Sequence, residues 1–110
     1  MEGTLLLRCL GNSPALRIID FFLDNPLFDY TKNEVIDGLE MGRATFFRCW
    51  RELERVGVVK VTRKIGKAKL YRLDEENEVV QKLMALDATL CKKAMEDALK
   101  SEAAQEKVTA

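Results

Sequence analysis

The stretch that decides the fold runs from Thr31 to Leu73, TKNEVIDGLEMGRATFFRCWRELERVGVVKVTRKIGKAKLYRL. Thr31 followed three residues later by Glu34 is a capping box, in which each side chain closes a backbone N–H left open at a helix start. A short helix is therefore predicted from Lys32 to about Leu39, burying Val35, Ile36 and Leu39. Glu40-Met41-Gly42 turns the chain, and a longer helix is predicted from about Arg43 to Val56, ended by Gly57 in the usual place just past a helix C-terminus. Beyond it VVKVTRK reads as a strand, IGKA as a tight turn around Gly66, and KLYRL as the returning strand.

The Arg43 to Val56 helix holds two surfaces. At about 100° per residue, Phe46, Trp50 and Leu53 fall on one side with Cys49 and Val56 flanking them, while Arg43, Ala44, Phe47, Arg48, Arg51 and Arg55 fall on the other. The first set is a core face. The second is basic and carries an aromatic, Phe47, which a merely solvated face explains poorly.

Outward from this segment, NSPALRIIDFFLDNP predicts an earlier core helix over roughly 14–25. Ser13 is its N-cap, Pro14 its first residue, Pro26 lies just past its end, and Leu16, Ile19 and Leu23 form a stripe that Ile18 and Phe22 broaden. Downstream, from about Asp74 or Asn77, apolar residues recur at Val79, Leu83, Leu86, Leu90 and Ala94. A helix of about 25 residues would extend about 37 Å, more than so small a domain covers by itself. Its excess apolar surface predicts a partner chain. Residues 1–12 form an N-terminal arm, expected to be helical in part, with Leu6 at the dimer interface, and 103–110 are expected to be a flexible tail.

Composition narrows the functions. The chain has 110 residues, 47% of them hydrophobic, which suits one small domain with appendages. It has no histidine, so the usual general base and the commonest metal ligand are missing, and three widely separated cysteines write neither a disulfide framework nor a metal knuckle. No catalytic constellation is legible, so an enzyme is not expected, nor a metal or cofactor. Cys49 and Cys91 read as small buried hydrophobes. No run is long and apolar enough to span a membrane, and a cytoplasmic, nucleoid-associated location is expected. The formal net charge of zero conceals a division: 43–72 holds ten basic and two acidic residues, and the remainder eight basic and sixteen acidic. A concentrated basic segment is the electrostatic footprint of a polyanion.

Helix, helix, turn, helix and basic hairpin is the order of a winged helix-turn-helix domain. Residues 31–73 resemble the small winged-helix regulators of archaea and bacteria in the broad MarR/ArsR-like group, through the capped helix, the Arg43-Ala44-Thr45 opening and the Leu53-Glu54-Arg55-Val56-Gly57-Val58-Val59 passage into the wing. The departures are Glu40 where the group often has glycine, Gly42 where it often has a serine or threonine cap, and Ile36 in place of a small residue. The resemblance implies a mainly α fold with a small β-hairpin wing, made of a winged helix-turn-helix over 13–74 and a long dimerisation helix over 75–102. It further implies a homodimer on double-stranded DNA, with the 43–56 helix in the major groove.

A major groove admits one helix, Arg offers a fork to guanine, and Ala or Phe packs on a thymine methyl. Arg43, Ala44, Phe47 and Arg48 are the expected base contacts. Thr45, Arg51, Arg55, Lys32 and the wing residues Arg63, Lys64, Lys67 and Lys69 are the expected phosphate contacts, with Lys67 or Lys69 also placed to enter a minor groove. The expected dimer interface is Leu6, Val79, Leu83, Leu86, Leu90 and Ala94. Two other readings remain open on the sequence: a partition or chromatin-like protein that coats DNA, and a winged helix used to bind proteins.

Overall fold

The computed structural model describes the backbone of residues 4–109 and the side chains of residues 4–101. Its elements are α1 (Leu5–Leu10), α2 (Pro14–Asp24), α3 (Lys32–Leu39), α4 (Arg43–Val56), β1 (Val59–Ile65), β2 (Ala68–Leu73) and α5 (Glu78–Thr109). The caps are where the sequence places them. Ser13 accepts from the Leu16 amide, and Thr31 and Glu34 close the reciprocal box at α3. Gly57 leaves α4 in the left-handed conformation at φ 82°.

The α3–α4 turn is less comfortable. Its pivot, Glu40, also lies in the left-handed region, at φ 52° and ψ 41°. A residue with a Cβ pays about 1–2 kcal/mol there, which is why glycine is the usual occupant. Three hydrogen bonds hold the turn in spite of this: the Glu40 and Met41 amides donate back to α3 carbonyls, and Arg17 of α2 donates to the Leu39 carbonyl at 2.7 Å. The close approach of α3 to α2 depends on Gly38, since a Cβ built on it would lie 2.8 Å from the Phe21 ring.

The core gathers Ile18 and Phe22 from α2, Val35 and Ile36 from α3, Phe46, Trp50 and Leu53 from α4, Val58, Val59, Tyr71 and Leu73 from the hairpin and its approach, and Val80 from α5. On α2 the broadening residues Ile18 and Phe22 are the buried ones, whereas Leu16, Ile19 and Leu23 are half-buried, because α2 packs against α1, α3, α4 and β2 together. On α5 the anchor is Val80, fully covered, while its neighbour Val79 is 46% exposed. Asn77 fixes where α5 begins: its side-chain oxygen accepts from the Val79 amide at 2.8 Å and its amide donates to the Val56 and Gly57 carbonyls at the end of α4.

Three expectations differ from what the structure describes. Leu6 is fully covered within its own chain, on an α1 that packs against α2 and α5, and so offers no surface to a partner. The stretch expected to be a flexible tail continues α5 as far as Thr109, in keeping with its run of alanine, glutamate, glutamine and lysine without glycine or proline; Ala110 lies outside the described residues, as do residues 1–3 of the arm. Cys91 is exposed on α5 and Cys49 only half-buried.

Asp20 is the one buried charged residue among those described, 7% exposed where α2 meets α1 and α5. Burial pushes its carboxyl pKa up; the 2.6 Å hydrogen bond donated by Thr4 opposes this, and the nearby charges of Asp24 and Asp87 add to it. An acid whose folded pKa is raised is costly to ionise in the fold, so the penalty is full above the raised pKa and vanishes below the ordinary value of 3.8. Asp20→Asn keeps an acceptor for Thr4 and removes the charge. It is expected to raise the melting temperature at pH 7, and this advantage should shrink as the pH is lowered toward 4 in a thermal-melt series. An advantage independent of pH would contradict the assignment.

Candidate nucleic-acid interface

The core face of α4 is as the helical phase predicts, with Phe46 fully buried, Trp50 and Leu53 nearly so, and Val56 instead open to solvent. The Trp50 ring stacks on Phe46 at 5.2 Å and meets Tyr71 of β2 edge-on at 5.0 Å. Tyr71 is buried and bridges its backbone to Tyr30, which donates to the Tyr71 carbonyl at 3.0 Å and accepts from its amide at 2.8 Å. A one-residue third strand thus sews the hairpin to the start of α3.

β1 and β2 pair antiparallel, from Val59 opposite Leu73 to Ile65 opposite Ala68, around a two-residue turn with Gly66 at φ 61°. The register slips between Val61 and Arg63, leaving Thr62 as an extra residue. The hydroxyl of Thr62 donates to Asp29 at 2.6 Å, and Arg63 donates to both oxygens of the same carboxylate, at 2.9 and 3.1 Å. These bonds hold the Asp29 carboxyl below its usual pKa. Arg63, expected at a phosphate, straps the hairpin to the α2–α3 loop in the free protein, with its side chain still 59% exposed. Arg72 reinforces it by donating to the Pro26 carbonyl. Arg55 is likewise engaged locally, its guanidinium donating to Glu52 at 3.2 Å.

Between α4 and the hairpin runs an open groove of about 660 Å³, lined by Thr31, Lys32, Asn33, Arg43, Phe47, Lys67, Ala68, Lys69 and Tyr71. Four of these are basic and none is acidic. Lys67 and Lys69 face Arg43 across it, and Arg48, Arg51 and Lys64 stand exposed nearby; among the described residues none of these but Arg43 has a side-chain hydrogen bond or ion pair. Phe47 is not the exposed aromatic that the sequence suggests. It is half-buried, edge-on to Phe46 at 5.3 Å, with the Arg43 guanidinium 5.4 Å from its ring centre. Asn33, which nothing in the sequence singles out, accepts from Arg43 at 3.0 Å and so orients it. Ala44 is exposed and Thr45 half-buried at the same end of α4.

Solved structures share this fold. MepR, a transcription regulator of the multidrug efflux pump MepA of Staphylococcus aureus, superposes with a TM-score of 0.61 at 14% identity over 94% of this chain and 78% of its own. A homodimeric winged helix-turn-helix DNA-binding domain from Mycobacterium bovis, Mb0332, a possible ArsR-family transcriptional regulator, superposes with a TM-score of 0.56 at 22% identity, covering 84% of this chain and 81% of its own. The chain has the winged helix-turn-helix fold. In its terms α3 and α4 are the helix-turn-helix pair, α4 holds the position called the recognition helix, and β1–β2 is the wing. Lactococcus lactis ZitR, solved in complex with DNA, is similar over 91% of this chain and 75% of its own, with a TM-score of 0.53 at 14% identity. No protein-family model matches the chain, nor does any curated protein sequence. Among the described residues no helix is long and apolar enough to cross a membrane, and no cluster of three or more potential metal ligands occurs.

Proposed function

We propose that this protein is a homodimeric, sequence-specific regulator of transcription that binds double-stranded DNA through α4 and the wing. The observation that carries the reading is the groove between recognition helix and wing, which is lined by four basic residues and no acidic one. A charged face that is merely solvated has no reason to be concave or to continue onto a second element. Arg43, Ala44, Phe47 and Arg48 are assigned to base edges, with Phe47 acting largely as the platform under Arg43. Thr45, Arg51, Lys64, Lys67 and Lys69 are assigned to phosphates.

The dimer is supported by α5. Leu86, Met95 and Leu99 are 36%, 68% and 64% exposed, and Val79 adds to them; Leu83, Leu90 and Ala94 are half-buried along the same helix. Burying a side chain of this kind stabilises by about 1.5–3 kcal/mol, enough for a few of them to hold a second copy. Two chains paired in this way would present two recognition helices to a roughly palindromic site. Fluorescence anisotropy with a random-sequence duplex, from 50 to 200 mM salt, tests the electrostatic part. Binding that weakens by about 10³-fold or more over that range, as six or more phosphate contacts require, is expected, and absence of binding at the low end would refute the reading.

A further inference from the structure

Lys32 does not behave as the other basic residues of the groove do. It is the first residue of α3, where the helix dipole disfavours a positive charge, so helix stability does not account for it. Its side chain is only 33% exposed. It lies 5.5 Å from the centre of the Tyr71 ring and 5.9 Å from those of Phe47 and Trp50, with the Glu54 carboxylate 3.9 Å away. Two of the rings belong to the recognition helix and the third to the wing. A cation attracted to the faces of rings on two elements resists their separation.

We infer that Lys32 is a positioning residue and not a phosphate contact: its ammonium, gripped by Phe47, Trp50 and Tyr71, sets the spacing between recognition helix and wing on which sequence discrimination depends. The consequence for specificity rests on the proposed DNA binding, while the grip itself belongs to the free protein. The Tyr30–Tyr71 bridge passes the constraint along the backbone, since Tyr30 is two residues before Lys32. Lys67 and Lys69, by contrast, are exposed on the far wall and free to meet a backbone that enters the groove.

The test compares Lys32→Met, which keeps the stem and removes the charge, with Lys32→Arg and Lys67→Ala. Each is titrated across salt concentrations against a random-sequence duplex and against a duplex selected by the wild-type protein. Lys32→Met should bind the selected duplex about tenfold more weakly with an unchanged salt slope, its random-duplex binding should be intact, and Lys32→Arg should restore discrimination. Lys67→Ala should lose about 0.9 from the slope for each chain bound, about 1.8 for the dimer, as one phosphate contact per chain requires. If Lys32→Met loses the same slope and weakens both duplexes alike, or changes neither, the inference is overturned. Free protein supplies an arm without DNA. In Lys32→Met the Tyr71 amide should exchange its hydrogen faster and the emission of Trp50, the single tryptophan, should shift; if both are unchanged the grip does not exist. A wild-type protein that binds no duplex would instead overturn the DNA-binding reading, and the exchange experiment would still decide the grip.

Discussion

Replacing Trp50 by alanine is expected to cost about 3–5 kcal/mol, the range for deleting a large buried aromatic. The indole is 1% exposed and touches rings from α2, α4 and β2: Phe22 at 6.2 Å, Phe46 at 5.2 Å and Tyr71 at 5.0 Å. No relaxation of one element can fill the space that three elements share. Since small domains are stable by only about 5–15 kcal/mol, the variant should be partly unfolded at 37 °C, with a much lower urea midpoint by circular dichroism. Trp50→Phe provides the contrast. The indole Nε1 is buried without a hydrogen-bond partner, so phenylalanine loses volume but also removes an unsatisfied donor whose burial costs about 1–3 kcal/mol. Its net cost should be small. An equal loss in both variants would mean that Nε1 is satisfied in solution and that the packing account is incomplete.

The second large effect concerns DNA. Arg48→Ala should weaken binding to the selected site by about 1–3 kcal/mol, roughly 5- to 150-fold, for each half-site, and leave binding to random duplexes nearly unchanged. Arg48 is exposed in the N-terminal half of α4 and is engaged by no neighbour among the described residues, so its fork is available to a guanine edge. Its stability contribution is small for the same reason, and a lost binding energy cannot be attributed to unfolding. Competition titrations with both duplexes check this. A uniform loss across sequences would reassign Arg48 to the phosphates.

Most of this was legible wherever the information was local. Caps, the glycine stop after α4, the tight turn of the wing around Gly66 and the helical phase of Phe46, Trp50 and Leu53 are properties of a few consecutive residues, and the structure agrees with each. What was not legible depends on which surfaces meet. Val80 and not Val79 anchors α5, because the direction from which the body approaches a helix is not written in the helix's own period. Arg63 looks like its neighbour Lys64 in sequence, yet a bulge at Thr62 turns it toward Asp29, more than thirty residues earlier. Phe47 was readable as something other than core. Its actual position, half-buried beneath Arg43 and beside Lys32, required the wing to be placed. Asn33 carried no signal at all, since its role exists only because the left-handed turn at Glu40 brings Arg43 back over α3.

The same distinction bears on the two other readings of the sequence. A DNA-coating protein needs the basic groove but no sequence discrimination, and a protein-binding winged helix would leave the groove idle. Both would preserve the fold and the exposed apolar residues of α5. The groove and α5 have to act together for the regulator reading, and only DNA with two matched half-sites reports on both.

The most direct test of the central claim is therefore selection of bound duplexes from a random pool, followed by the mass of the complex on the winning sequence. An enriched inverted repeat with half-sites about one helical turn apart, occupied by two chains, is the expected result. Failure to enrich any sequence, or a complex holding a single chain on an unstructured site, would contradict it.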